Sequence, residues 1–278
     1  MTIFRTSISK KLTKLLPLDL YCRKVSAWRR ISGHSCRLHS LGSDNIIVVT
    51  DHKSRHPLQL HICRRTRHGR YKHGIITQIE GLARSYCLDR INLEPNGVLV
   101  DCGANIGELG LWARINGLAY IAFEPEPLEA RCCDLNNFGG KPRTIRKALW
   151  KETKIMELFS KPDTADSSII PIDDVDSIGS VQAVRMDEVV DVSQFGAGTR
   201  ILKLVGEGAE PEILLGSECI LPHFDFVAAD FGPERGRNAE YTFVDGANLL
   251  LEHGFKLIQT NLRRSRALFR NEIRLQKT

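Results

Sequence analysis

The chain has 278 residues, 42% hydrophobic and 26% charged, with a formal net charge of +6, a composition that suits a globular protein with a core of its own and excludes a low-complexity polymer. No apolar run reaches the roughly 18 residues of a membrane-spanning helix, and the start, MTIFRTSISKKLTKLLPLDL, lacks the long apolar centre of a secretory signal. Cysteines at 22, 36, 63, 87, 102, 132, 133 and 219 form no C-x-x-C pair, which points to reduced thiols and a cytoplasmic location rather than a disulfide framework.

The charge is uneven: Asp19, Asp44 and Asp51 are the acids that precede residue 75, against many Lys and Arg. Residues 1–75 therefore read as a basic N-terminal extension, and 76–278 as the main domain. Near the start Ile8, Leu12, Leu15 and Leu16 recur at helical spacing in a basic segment, which predicts a helix able to touch anionic lipid peripherally. Strands are predicted over 45–50 (NIIVVT) and 58–63 (LQLHIC), and a helix over 75–89. The densest basic run, CRRTRHGRYKHG (63–74), has the charge to meet RNA phosphates. Tyr71 is the one aromatic stacking platform inside it, so nucleic acid is the lesser expectation, and an anionic sugar, lipid headgroup or phosphorylated acceptor explains the run as well. His34, Cys36, His39, His52, His56, His61, Cys63, His68 and His73 crowd the same region at no standard ligand spacing, and no metal is expected.

From residue 97 onward β-rich and helical stretches alternate, the pattern of βαβ units around a parallel sheet. Strands are predicted over 98–101, 120–123, 144–148, 201–205 and 225–229, with helices over 107–116, 127–136, 210–220 and 239–253. Between about 151 and 191 the alternation breaks into shorter β-like pieces, read as an insertion with hairpin character. KLIQT and ALFRNE near the end predict a closing antiparallel pair.

The most informative stretch is GVLVDCGANIGELGLWA, Gly97 to Ala113, an apolar strand running into an acid, glycines and an asparagine. Gly103 and Gly107 let the backbone turn tightly beside a ligand, and the amides of a helix start follow. The middle glycine of the dinucleotide fingerprint is replaced by Asn105, which disfavours a pyrophosphate. Asp101 would repel phosphate and attract an ammonium, so S-adenosylmethionine is the expected cofactor. YIAFEPEP places Glu124 23 residues after Asp101, where a ribose-binding acid is needed in such folds.

VDCGANIGELG followed by AFEPEP resembles the cofactor site of class I methyltransferases. RYKHGI, KALWKETKIMELF, DSSIIP, VRMDEVV, ILKLVGEGAEPEILLG, GPERG and HGF resemble the FkbM family in particular, over roughly residues 65 to 275. The resemblance implies a Rossmann-like α/β fold, a mostly parallel seven-stranded sheet with helices on both faces and an antiparallel closing strand. It implies methyl transfer from S-adenosylmethionine, often to a hydroxyl of a carbohydrate, glycolipid or secondary metabolite. Carried over by position, Asp101, Gly103, Ala104, Asn105 and Gly107 would line the methionine end, Glu124 and Pro125 the ribose, and Ala148 and Leu149 the adenine edge.

The family pattern K-I-D-V-E-G-x-E is matched at Lys203, Glu207, Gly208 and Glu210, but Val205 stands where the family has aspartate. Methyl transfer to an alcohol needs an aligned acceptor and a destination for its proton. Glu207 is the first candidate for that role, with Lys203 and Asp230 behind it, while Glu210 could merely complement a helix start. The loss at Val205 leaves a second expectation open, a catalytically impaired relative that binds the cofactor.

Overall fold

The computed structural model describes residues 16–42, 45–53, 57–160, 167–171, 175–236 and 238–275. The chain divides into two compact units between Gln78 and Ile79. The expected N-terminal helix through Ile8, Leu12 and Leu15 lies outside the described residues.

The first unit is a three-stranded antiparallel sheet, β1 (Cys36–Leu41), β2 (Ile46–Asp51) and β3 (Leu58–Ile62), in that order. The β-branched run IIVVTD is buried at every position, as the central strand should be. Helix Leu18–Ile31, which the sequence reading did not anticipate, is tied to β1 by Ser26: its hydroxyl donates to the Leu38 carbonyl at 2.9 Å and accepts the Leu38 amide at 2.7 Å. The basic run forms a 3-10 helix, Arg65–Tyr71. Its His68 takes part in a buried chain, with Arg29 Nη2 2.9 Å from Nδ1 and Tyr21 Oη 2.7 Å from Nε2. Burial pushes the His68 imidazole down to about 4, and the Arg29 charge adds to that, so the ring accepts from Arg29 as a neutral base.

The second unit is an α/β fold around a mixed six-stranded sheet in the order β14-β15-β11-β10-β4-β5. β4 (Val98–Cys102), β5 (Ala119–Phe123), β10 (Arg200–Leu204) and β11 (Phe226–Asp230) are mutually parallel neighbours. β15 (Arg266–Asn271) runs antiparallel to both β11 and β14 (Phe255–Asn261), so the closing pair is antiparallel as the sequence suggested. VLVDC of β4 is buried throughout, the mark of a strand covered on both faces. Val100, Leu202, Leu204, Val227 and Phe269 join one large core, each such side chain contributing roughly 1.5–3 kcal/mol by burial.

Three expectations are corrected. The strand over 144–148 contributes a single parallel bridge, Ile145 to Phe123, so six strands are paired rather than seven. The Lys147 amide donates to the Ile145 carbonyl at 2.9 Å and bends the chain away; Ala148–Leu149 then forms β6 in a second sheet. The helix over 210–220 ends at Leu215 with Gly216 as its cap, a position where any Cβ would strike the Trp150 carbonyl. The helix over 239–253 starts only at Phe243, since Glu240–Tyr241 (β13) pairs with Pro233–Arg235 (β12).

That second sheet is the expected insertion: β6, β9 (Ser177–Val184), β7 (Lys154–Ser160) and β8 (Ser167–Ser168), in that order. β7 pairs antiparallel with both β8 and β9.

Candidate functional site

β5 lies on one side of β4 and β10 on the other, so the strand order reverses between β4 and β10. In open α/β sheets ligands bind beyond the carboxyl ends of strands at such a point. A cleft lies there in the second unit. It is lined by Cys102, the last residue of β4, Gly103 and Asn105 just after it, and Phe123, Glu124 and Pro125 at the end of β5. Val205, Gly206 and Glu207 follow β10, and Lys147, Ala148 and Leu149 come from the bent strand. The insertion adds Leu158, Ser167 and Ile169.

The glycine turn is closed by its own hydrogen bonds. The Gly103 and Ala104 amides both donate to the Phe123 carbonyl, at 3.1 and 2.9 Å, and the Gly107 amide donates to Ala104 at 2.9 Å. The Asn105 amide donates to Glu124 Oε2 at 2.7 Å, with Asn105 itself left-handed at φ 51°. Gly103, at φ 71°, is required, because a Cβ would lie 2.5 Å from the Val205 carbonyl oxygen.

Glu124 is 5% exposed, and its other oxygen accepts the Glu126 amide at 2.9 Å. Burial pushes its carboxyl up to about 7; the neighbouring Glu129 and Glu126 charges act in the same direction, and the two amide hydrogen bonds oppose them. A carboxylate offers about four lone-pair positions, so two amides leave room for a hydroxyl pair. Glu126 accepts the Ser160 and Ser167 hydroxyls, which ties the insertion to the Glu124 wall.

The loop after β10 is organised from beneath by Glu210, fully buried, whose Oε1 accepts the Gly206 and Gly208 amides at 2.7 and 3.2 Å and whose Oε2 accepts the Thr242 hydroxyl at 2.7 Å. Desolvation raises its pKa against the pull of those hydrogen bonds. Above it Glu207 is left-handed at φ 49°, a conformation that costs a non-glycine residue on the order of 1–3 kcal/mol. The Ser168 hydroxyl donates to the Glu207 carbonyl at 3.0 Å and helps hold it there.

Gly103, Asn105, Glu124, Pro125, Ala148, Leu149 and Glu207 thus line one cleft. The remaining sequence candidates do not, and the structure gives each another occupation. Asp101, 1% exposed, lies 2.9 Å from Lys203 Nζ through Oδ1 and accepts the Tyr120 hydroxyl at 2.8 Å through Oδ2. Lys203 also donates to the Cys102 and Gly103 carbonyls, at 2.9 and 2.7 Å. Desolvation works to lower the pKa of this buried lysine, but Asp101 outweighs it and the net shift is upward. A permanently protonated, fully engaged ammonium is no proton acceptor, so Lys203 is a clamp on the turn. Asp230 is held by Arg266 at 2.7 Å, and the Arg266 guanidinium stacks 3.8 Å from the Tyr86 ring centre. Ala104 packs with Ala122 and Cys133, and Gly107 gives way to Asn137 and Cys133, against which a Cβ would clash.

The insertion's Leu158, Ser167 and Ile169, with Lys147, had no role in the sequence reading, although KALWKETKIMELF and DSSIIP contain them. Only the folding of the second sheet carries them to the cleft.

No protein-family model matches this chain, and no curated protein does. Among solved structures it is similar to a protein in the NADB-Rossmann superfamily from Streptococcus agalactiae. The two share 11% identity over 69% of this chain and 67% of the other, with a TM-score of 0.38.

Proposed function

We propose that the chain is an S-adenosylmethionine-dependent methyltransferase with a Rossmann-like fold resembling the FkbM family, acting on a hydroxyl oxygen of a carbohydrate, glycolipid or secondary-metabolite acceptor. The observation that carries the reading is the state of the glycine turn. The amides of Gly103, Ala104, Asn105 and Gly107 are all spent inside the protein, one of them on the Glu124 carboxylate. A pyrophosphate is held through such amides, whereas a nucleoside without phosphates needs a ribose acceptor and an apolar slot.

The residues present fit that group at its nucleoside end. Glu124 retains lone pairs for two ribose hydroxyls, and Ala148, Leu149, Leu158 and Ile169 supply apolar walls for a purine. The bound cofactor would supply a methyl group made electrophilic by its sulfonium. Asp101, neutralised by Lys203, is not the ammonium acceptor the sequence suggested; the clamp instead preorganises the turn. Glu207 is left as the second carboxylate on the cleft wall beside Glu124, and in this reading its carboxylate orients the acceptor hydroxyl and takes its proton.

Calorimetric titration of the full chain with S-adenosylmethionine, S-adenosylhomocysteine and NAD tests the reading. Micromolar binding of the first two, weakened at least ~10-fold in Glu124→Gln, is expected from the loss of a charge-assisted pair of hydrogen bonds. No binding at millimolar S-adenosylmethionine, or tighter binding of NAD, overturns it. A second reading, a relative that binds cofactor without turnover, draws on Val205, which lines the cleft where the family has aspartate; binding without methyl transfer to any acceptor class would favour it.

A further inference from the structure

The methyltransferase reading leaves the first unit without a task, and its surface carries an unusual combination of side chains. On helix Leu18–Ile31 the buried face is Tyr21, Cys22 and Arg29. At about 100° per residue Leu20, Ala27 and Ile31 fall together on the opposite side, with Trp28 flanking them. Leu20 is 41% exposed, Trp28 59% and Ile31 86%. A single exposed apolar residue is ordinary; an aromatic and two aliphatics in one sector of one helix are a surface. Arg23, Lys24 and Arg30 are exposed among them, and the helix's one acid, Asp19, is paired with Arg23 at 2.9 Å.

The surface extends beyond the helix. The Trp28 and His34 ring centres are 5.6 Å apart, and those of His34 and His73 are 6.0 Å apart. Lys53 Nζ donates to the His73 carbonyl at 3.0 Å, and Lys72 beside it is exposed. The end of the basic run thus lies next to the exposed tryptophan. The helix is anchored from its buried side by Ser26 on Leu38 and by the Arg29–His68–Tyr21 chain, so this face is presented on a fixed support.

We propose that this face docks on an anionic lipid surface, with Trp28, Leu20 and Ile31 entering the headgroup and acyl boundary and Arg23, Lys24, Arg30 and Lys72 meeting the phosphates. An amphipathic helix with tryptophan and aliphatics on one face and lysine and arginine around them is built for that boundary, and each basic residue near an anionic leaflet adds attraction. A nucleic acid would use the charges and the Trp28 ring, but Leu20 and Ile31 gain nothing from a phosphate backbone. Lipid is therefore the occupant that accounts for the whole face.

Full-length protein is sedimented with phosphatidylcholine vesicles, with and without phosphatidylserine, while tryptophan emission is followed. The other two tryptophans, Trp112 and Trp150, are buried, so a blue shift reports Trp28. Sedimentation and a blue shift with the anionic vesicles alone are expected. Sedimentation should weaken at least ~10-fold in Trp28→Glu/Ile31→Glu and in Lys24→Glu/Arg30→Glu, and the blue shift with it in the second pair, which keeps Trp28, at unchanged Tm. If one pair of substitutions lowers Tm, the other carries the test. Absence of vesicle binding, equal binding to neutral vesicles, wild-type binding by both variants, or retention of a single-stranded RNA oligonucleotide in place of vesicles overturns the proposal.

Discussion

Asp101 is the penultimate residue of β4, opposite Ala122 of β5, and Glu124 follows the end of β5 two places further on, so the two buried carboxylates, 1% and 5% exposed, lie near the carboxyl ends of adjacent parallel strands. Asp101 has a lysine and a tyrosine hydroxyl on it. Glu124 has two backbone amides and no cation within ion-pair distance among the described residues. A buried carboxylate paired with a cation and a hydroxyl, away from the cleft lining, holds structure. One supported by amides alone keeps its charge marginal, lines the cleft and has acceptor capacity left. Sequence spacing treats the two acids alike; their partners separate them.

The largest effect that would break this contrast is on the Asp101 side. Lys203→Met leaves a buried carboxylate without its cation, which typically costs about 3–5 kcal/mol and should lower Tm by on the order of 10 °C. Adding Asp101→Asn should recover much of it, because removing both charges is far cheaper than removing one. A single variant of native Tm with lost turnover would return Lys203 to the chemistry.

Next in size is Glu207→Gln, expected to lower turnover roughly 10²-fold while cofactor Kd stays within a few-fold. Equal loss of both would make Glu207 the ammonium acceptor instead of the base, a measurement that steady-state kinetics and titration separate.

Glu124 should show its marginal charge in pH dependence. Its carboxyl is raised to about 7 in the folded protein, against roughly 4.3 in an unfolded chain. Affinity for S-adenosylhomocysteine should therefore fall as pH drops through about 7, with a flat profile in Glu124→Gln. The same shift means that the stability associated with this group is present below the unfolded pKa and is lost as pH rises through about 7. A profile in which wild type and variant titrate alike would show that Glu124 does not meet the ligand.

The smallest expected effect concerns the Glu207 support. Ser168→Ala removes the hydroxyl's hydrogen bond to the Glu207 carbonyl and the one it accepts from the Ile170 amide, each worth about 0.5–1.5 kcal/mol. It should raise the acceptor KM a few-fold with cofactor Kd unchanged, and Ser168→Thr should restore it. Unchanged KM would mean that Glu210 alone sets the loop.

Much of the second unit was legible because its signals are local. β4, β5, β10 and β11 are apolar runs of the right length, and the helix at Pro127 begins with a proline that needs no amide donor. The closing pair around the basic turn was legible for the same reason. Misreadings came where a distant segment overrode local preference: β9 captures Ala148–Leu149 from the expected strand, and Pro233–Arg235 pairs with Glu240–Tyr241 before the last long helix can start. Helix Leu18–Ile31 was missed because apolar residues fall on its exposed face among the charges and its buried face contains an arginine, which blurs the usual helical pattern.

The sequence by itself determined the glycine turn, the acid at the end of the next strand and the positions of the sheet's parallel strands, since each depends on residues within one strand, turn or helix. Only the tertiary structure decided which acid lines the cleft and which is paired with a lysine beneath it. Asp101 and Lys203 are 102 positions apart and become neighbours through β4 pairing with β10. Ser167 and Ile169 reach the cleft wall only because the second sheet folds back over it. A carboxylate's charge and availability depend on what is packed within a few ångströms of it, and chain connectivity does not encode that distance.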